Sequence, residues 1–247
     1  MTRSRSTTLL FLFMPACLGL ARADQLFTTP AGSTVGSPAE AVSASADFSV
    51  SGTNLTITLS NTLAGISDAG QLLTDLFFTL SSNGSPTLSS QSADMVMVNK
   101  NKKTKVQSVT DLGIGSPGWS FGAASISGLN GFELCVVCNG GPSHSTAKGG
   151  ILGPASSDGL YDNANGSIEG NPGHNPFVNG TATFVIGGLP VGATIDGVIF
   201  SFSTTPGEDV DGVPTSPVPE PGSVLLLGAV LLAMGRLGRK LRRQSQG

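Results

Sequence analysis

The side chains best suited to chemistry lie near the middle of the chain. Cys135-Val136-Val137-Cys138 places two soft ligands at C-x2-C spacing, with His144 and His174 downstream. Three chemistries are open to this set. A redox dithiol needs a helix N-terminus to lower one thiol pKa, and Asn139-Gly140-Gly141-Pro142 offers no helix. A zinc centre would use both cysteines and both histidines, but their spacing fits no familiar finger. The third is a small-loop disulfide formed in an oxidising compartment. It requires a turn, because residues i and i+3 of a flat strand point to opposite faces. We expect the disulfide, with no metal and no cofactor.

Other matches lack the elements that give them chemistry. Gly113-Ile114-Gly115-Ser116-Pro117-Gly118 satisfies G-x-G-x-x-G, but Pro117 prevents a helix from opening there and no βαβ unit surrounds it. Ser145-Thr146-Ala147-Lys148 satisfies S-x-x-K, yet Gly149-Gly150 ends any helix and no partner motif follows. Glu133 and Glu169 would serve a glycosidase only if held about 5–10 Å apart, and nothing in the sequence brings them together. Glu208, Asp209 and Asp211 lack the downstream Glu of a calcium loop. Trp119 and Tyr161, each unique, would bind sugar if exposed, but a lone Trp in a sandwich belongs more often to the core. No catalytic residue is expected.

Composition narrows the class. The chain has 247 residues, 34 of them Gly, which is about twice the usual share of ~7%. Charged residues make up 12%, about half the usual ~25%. This composition argues against long solvent-facing helices and coiled coils, and against a basic nucleic-acid binder. The net charge of −3 conceals an uneven distribution. Between Asp24 and Gly222 lie all 16 acids and only five bases (Lys100, Lys102, Lys103, Lys105 and Lys148), a net of −11. Such a segment repels nucleic acid. Four of the five lysines share one short stretch, 100–105, read as a solvated turn or edge guard. Contact with an acidic polysaccharide is the alternative.

Both ends are addresses rather than fold. Met1 to Ala23 has Arg3 and Arg5, an apolar run from Leu9 to Leu20, and Ala21-Arg22-Ala23 before Asp24, which is the pattern of a cleavable signal peptide for the Sec translocon. At the other end, 206–217 is rich in Pro and acids and reads as a linker. Pro219-Glu220-Pro221 follows, then an apolar stretch, then Arg236, Arg239, Lys240, Arg242 and Arg243. As a helix, residues 222–238 would span roughly 25 Å, just enough to cross a bilayer. The basic cluster puts the C-terminus in the cytoplasm.

Residues 218–243, in the order Pro-Glu-Pro, short apolar helix and Arg cluster, resemble the PEP-CTERM sorting signal. The resemblance implies an exosortase as partner, a transient inner-membrane anchor, and delivery to the surface of a Gram-negative cell that makes exopolysaccharide.

What remains, 24–205, reads as strand and loop. Ala46, Phe48 and Val50 alternate with polar residues, as do Leu55, Ile57 and Leu59 beyond Gly52-Thr53-Asn54, which predicts a hairpin with one buried face. Leu76, Phe78 and Leu80 flank Phe77, so that strand is apolar on both sides. Further strands are expected at 95–98, 119–123, 182–186 and 198–202, and only 66–75 is expected to form a short helix. The fold class is all-β, a β-sandwich with a jelly roll as the alternative. The polar stretch 140–179 is too long for an ordinary loop. Its segments 161–168 and 174–177, with the strand pair 46–60, resemble ectodomains of exosortase-dependent surface proteins of unassigned role.

The sequence therefore implies an exported, non-catalytic surface or matrix protein associated with exopolysaccharide. A carbohydrate-binding module is the second reading and an extracellular hydrolase the third. N-terminal sequencing of the exported chain should read Asp24-Gln25-Leu26; a product that retains Met1 would overturn the signal-peptide assignment.

Overall fold

The computed structural model describes residues 24–82, 84–142 and 146–215. The segments expected to be a signal peptide, 1–23, and a sorting signal, 218–243, lie outside these residues, as does His144. Among the described residues no helix is long and apolar enough to cross a membrane.

The chain is all-β. Its strands in order are β1 (Asp24–Thr28), β2 (Thr34–Val35), β3 (Glu40–Ala41), β4 (Ala44–Ser51), β5 (Asn54–Asn61), β6 (Leu73–Leu80), β7 (Thr87–Lys100), β8 (Gln107–Gly115), β9 (Ser120–Ile126) and β10 (Leu129–Cys135). After them come β11 (Ile151–Leu152), β12 (Phe177–Gly187), β13 (Ile195–Phe202), β14 (Glu208–Asp211) and β15 (Val213–Pro214). Hydrogen bonds link 13 of them, and β2–β3 form a separate ribbon. The 13 divide into two leaves. One has seven strands in the order β15-β1-β4-β5-β12-β7-β8; the other has five, β14-β13-β6-β10-β9. The thirteenth, β11, pairs with β12 of one leaf and β6 of the other through Ile151, stitching them at one end.

Alternation along the strands explains how the leaves pack. In β5, Leu55, Ile57 and Leu59 are buried while Thr56, Thr58 and Ser60 are not. The predicted β4–β5 hairpin forms with Phe48 opposite Ile57, and Gly52 takes the positive φ of +63° that its two-residue turn requires. The facing leaf contributes Leu76, Phe78, Val198, Phe200 and Phe202 to the same core. A run of aromatic rings crosses between leaves: Phe27 to Phe48 at 5.7 Å, Phe48 to Phe78 at 5.6 Å, and Phe78 to Phe132 at 6.1 Å. The arrangement is sandwich-like.

Two expectations change. Within 66–75, only Ala69–Gln71 forms a helical turn, of 3-10 type and capped by Asp68, because Leu73 onward is drawn into β6. The segment 206–217, expected to be a linker, contains two strands. Glu208–Asp211 pairs with β13, and Val213–Pro214 pairs with β1. Both are edge strands, where proline and acids are tolerated. The folded region therefore runs past Thr205.

The long stretch 140–179 builds a second, smaller core. Tyr161, Ala164, Ile168 and Phe177 pack with Ile66, Leu72, Val96 and Val98 at the end of the leaves that β11 stitches. Gln107 of β8 clamps it, accepting from the Tyr161 N–H at 2.7 Å and donating to the Tyr161 carbonyl at 3.0 Å.

A chain ending at Thr205 loses β14, β15 and their ladder bonds. At about 1 kcal/mol per net hydrogen bond, and about 2–4 °C per kcal/mol for a domain of this size, its melting temperature should fall by roughly 10 °C relative to a chain ending at Thr215. Equal melting temperatures would show that 206–215 is a linker after all.

Candidate functional site

The densest chemistry lies on the outer face of the five-stranded leaf. Strand pairing sets Cys135 of β10 opposite Asp75 of β6, Glu133 opposite Phe77, and Ser201 of β13 opposite Asp75 on the other side. Asp209 of β14 follows opposite Ser201. Period-2 geometry places all of these side chains on one face. The chain leaves β10 at Cys135, where the N–H of Val136 donates to the Thr74 carbonyl at 2.9 Å, and then turns back over this face. The turn satisfies the requirement for bridging residues i and i+3. Cys135 and Cys138 form a disulfide with a Cα–Cα distance of 5.1 Å.

The stapled segment is fastened by Glu133, whose Oε1 accepts from the Asn139 N–H at 2.5 Å while both its oxygens take the Gly140 N–H at 3.3 Å. Asn139 Nδ2 donates to Asp209 at 3.0 Å, and Ser201 Oγ donates to Asp209 at 2.6 Å. Glycine is needed at 140 and 141 because a Cβ there would strike the Ser125 carbonyl or the Glu133 carboxylate.

Asp75 is the anomaly of this cluster. It is 0% exposed, and neither oxygen has an aligned donor. The Leu76 N–H and the Glu133 carboxyl lie alongside, and two carboxyls can share a hydrogen bond only if one is protonated. Burial foremost, then Glu133 and the charge of Asp209, hold the Asp75 carboxyl well above the usual aspartate range. Glu133 is likewise fully buried. In this conformation no substrate atom reaches either carboxyl.

A second polar knot sits in the long stretch. Asp68 accepts from the Gly70 N–H at 2.7 Å and from Asn165 and Ser167. Burial opposes its charge, but these bonds and the nearby His174 ring hold the Asp68 carboxyl below its ordinary range. Ser167, His174 and Asp68 thus meet, though not as a nucleophilic triad. His174 Nδ1 bonds the Ser167 main-chain oxygen at 2.6 Å, while Ser167 Oγ accepts from the Ala69 N–H at 2.9 Å. The knot holds the loop to the 3-10 turn.

The sequence candidates divide accordingly. Cys135 and Cys138 meet, but His174 belongs to the loop knot, so the four-ligand zinc reading does not assemble on it. Glu169 pairs with Lys100 and accepts from Gln107 Nε2 at 2.6 Å, a network separate from that of Glu133. Those partners hold the Glu169 carboxyl low against its burial. Trp119 is 3% exposed, with Nε1 donating to the Gly149 carbonyl at 2.8 Å, and Tyr161 is 2% exposed, its hydroxyl pKa pushed up by burial to about 12. Neither offers a face to a sugar. Glu208 caps the Gly36 N–H at 2.7 Å, so the 208–211 acids do not wrap a cation. No helix follows Gly113–Gly118; the chain enters β9. Asp75 went unnoticed in the sequence, and Asp209 was considered there only as part of a calcium loop. The signal for Asp75 was a single acid inside the apolar run Leu72–Leu80.

No family model, no curated protein and no solved structure matches this chain.

Because its folded pKa lies above its unfolded one, Asp75 contributes stability at pH values below the ordinary ~3.9 of aspartate and loses it as pH rises through the folded value. Asp75→Asn keeps the shape without the charge. At neutral pH it should melt at least about 3 °C higher than the wild type, and the gap should close as the pH approaches that of acid. A variant that is less stable at neutral pH would show that ionised Asp75 has a partner.

Proposed function

We propose that this chain is an exported cell-surface or extracellular-matrix protein with a structural or adhesive role, associated with exopolysaccharide and sorted by an exosortase through Pro219-Glu220-Pro221. The observation that carries the reading is the tripartite tail. Two features of the fold support it. First, Asp24, next to the Ala21-Arg22-Ala23 site, lies in β1, which pairs with β15, whose neighbour Thr215 donates to the Leu26 carbonyl at 2.8 Å shortly before Pro219. Asp24 and Thr215, the described residues nearest the two expected signals, therefore lie at one edge of one leaf. Second, a disulfide suits an oxidising compartment.

The absence of catalysis is part of the proposal. Its basis is that the paired carboxyls are sealed and the Ser/His/Asp group is wired as a clamp. The domain is read as a β-sandwich in preference to a jelly roll. A carbohydrate-binding module is the weaker reading, because both aromatic candidates lie in the cores. The remaining feature in its favour is an open groove of about 530 Å³, lined by Leu80, Ala123, Ser125, Asn130 and Phe132 among others.

In a host with an exosortase, the C-terminus should be shortened near Pro219. In a strain lacking that enzyme, the longer form should remain in the inner membrane. The same intact mass in both strains would overturn the sorting assignment.

A further inference from the structure

The disulfide conceals a second possibility for the same residues. One Glu133 carboxylate oxygen and the sulfurs of Cys135 and Cys138 lie within 4.8 Å of one another. All three belong to β10 or the turn that follows it, and the register of that strand places Glu133 and Cys135 on one face. Two thiolates and a carboxylate suit a thiophilic divalent cation of the zinc class, which binds sulfur at about 2.3 Å and oxygen at about 2.0–2.2 Å. An independent feature points the same way. Asp75, directly opposite Cys135 on the neighbouring strand, is fully buried, and neither of its oxygens has an aligned donor. Its nearest polar neighbours are the Glu133 carboxyl and the Leu76 N–H, an arrangement that is costly for a buried charge, and a cation beside it would offset that cost.

We propose that in its reduced form the chain binds one zinc-class cation through Cys135, Cys138 and Glu133, with Asp75 on the neighbouring strand as the negative charge behind the ligands. The chemistry balances. A dithiol reductant delivers two electrons and two protons to Cys135–Cys138, breaking the S–S bond and closing to a disulfide itself. The cation then takes the two sulfurs as thiolates and releases two protons to solvent. The turn over Asp75 and Glu133 is thus stapled in both redox states, covalently when oxidised and by metal when reduced. The ligand set differs from the Cys/His arrangement considered from the sequence, since it takes Glu133 and neither histidine. The inference does not depend on export or sorting.

The test is a Co²⁺ titration of the full chain, reduced with a phosphine under anaerobic conditions and followed by thiolate-to-cobalt charge-transfer absorption. The expected result is a band saturating at one Co²⁺ per chain, bleached by Zn²⁺ and absent from the oxidised protein. Glu133→Gln and Asp75→Asn should each weaken binding at least about tenfold, with far-ultraviolet circular dichroism confirming an intact sheet. Three results would overturn the proposal: a reduced chain that keeps its sheet but shows no band, a reduced chain that loses its sheet, or a Glu133→Gln variant that folds and binds as the wild type does. Should Glu133→Gln fail to fold, the wild-type band and the Asp75→Asn titration decide the matter.

Discussion

The structure depends on one strand that must be dry on both faces. From Leu73 to Phe78 every residue of β6 is buried. Leu73, Leu76 and Phe78 face the core between the leaves, while Phe77 points outward into a small cluster with Ala124, Ile126 and Ile199. A sheet face carrying Phe77 and Asp75 cannot be left to water without losing the apolar contacts around it. Three covers meet there. Strand β13 lies on one side, β10 on the other, and the stapled turn after Cys135 crosses above. Val136 and Val137, between the two cysteines, enter the main and the secondary core respectively. The disulfide closes a turn whose own side chains already anchor it.

That constraint separates what was legible in the sequence from what was not. Strands with one wet face announce themselves by period 2, as β4, β5 and β12 do. Strand β6 announced only that it was apolar on both sides, and the register that pairs Asp75 with Cys135 and Ser201 is not a local property. Strand β7 runs from Thr87 to Lys100, yet only 95–98 reads as strand, because its first half alternates weakly and carries polar residues on both faces. Strands β1, β8 and β10 and the short β2, β3 and β11 were not read from the sequence at all, and β14 and β15, short edges containing acids and a proline, were read as linker. Their partners are β13, next in sequence, and β1, almost the whole chain away. Composition identified them correctly as unfit for a sheet centre, but did not show that an edge could use them.

The candidate site follows the same rule. The C-x2-C spacing carried the cysteine pairing, since the bond spans three residues and needs only a local turn. It could not identify the third participant. Glu133 enters because β10 alternates, putting residue 133 on the face of residue 135. His174, a better ligand by type, is drawn into the loop knot by the Ser167 carbonyl. Trp119 and Tyr161 looked like ligand platforms because they are unique. Each instead directs its polar atom at a loop carbonyl, Gly149 for Trp119 and Gly153 for Tyr161, and so ties the long stretch to the two cores.

These anchors give the molecule two unlike ends. Asp24, the Gly52 turn and the chain leaving Thr215 lie toward one end of the seven-stranded leaf, because β1 pairs Asp24 with Ser49 and β15 runs back along it. At the other end are the Lys100–Gln107 turn, the 3-10 turn and the secondary core. A tether at either terminus therefore holds the first end and leaves the second facing outward. Lys102, Lys103 and Lys105 are all exposed there, on a turn shaped by Asn101, whose side chain accepts from the Lys103 and Thr104 N–H groups. In a segment with net charge −11, gathering most of the cations at the end away from Asp24 and Thr215 leaves the rest of the surface strongly anionic. Like-charged flanks repel neighbouring copies side by side, so approach is least opposed at the lysine end. The loop most elaborately pinned in this fold is also the one presented there.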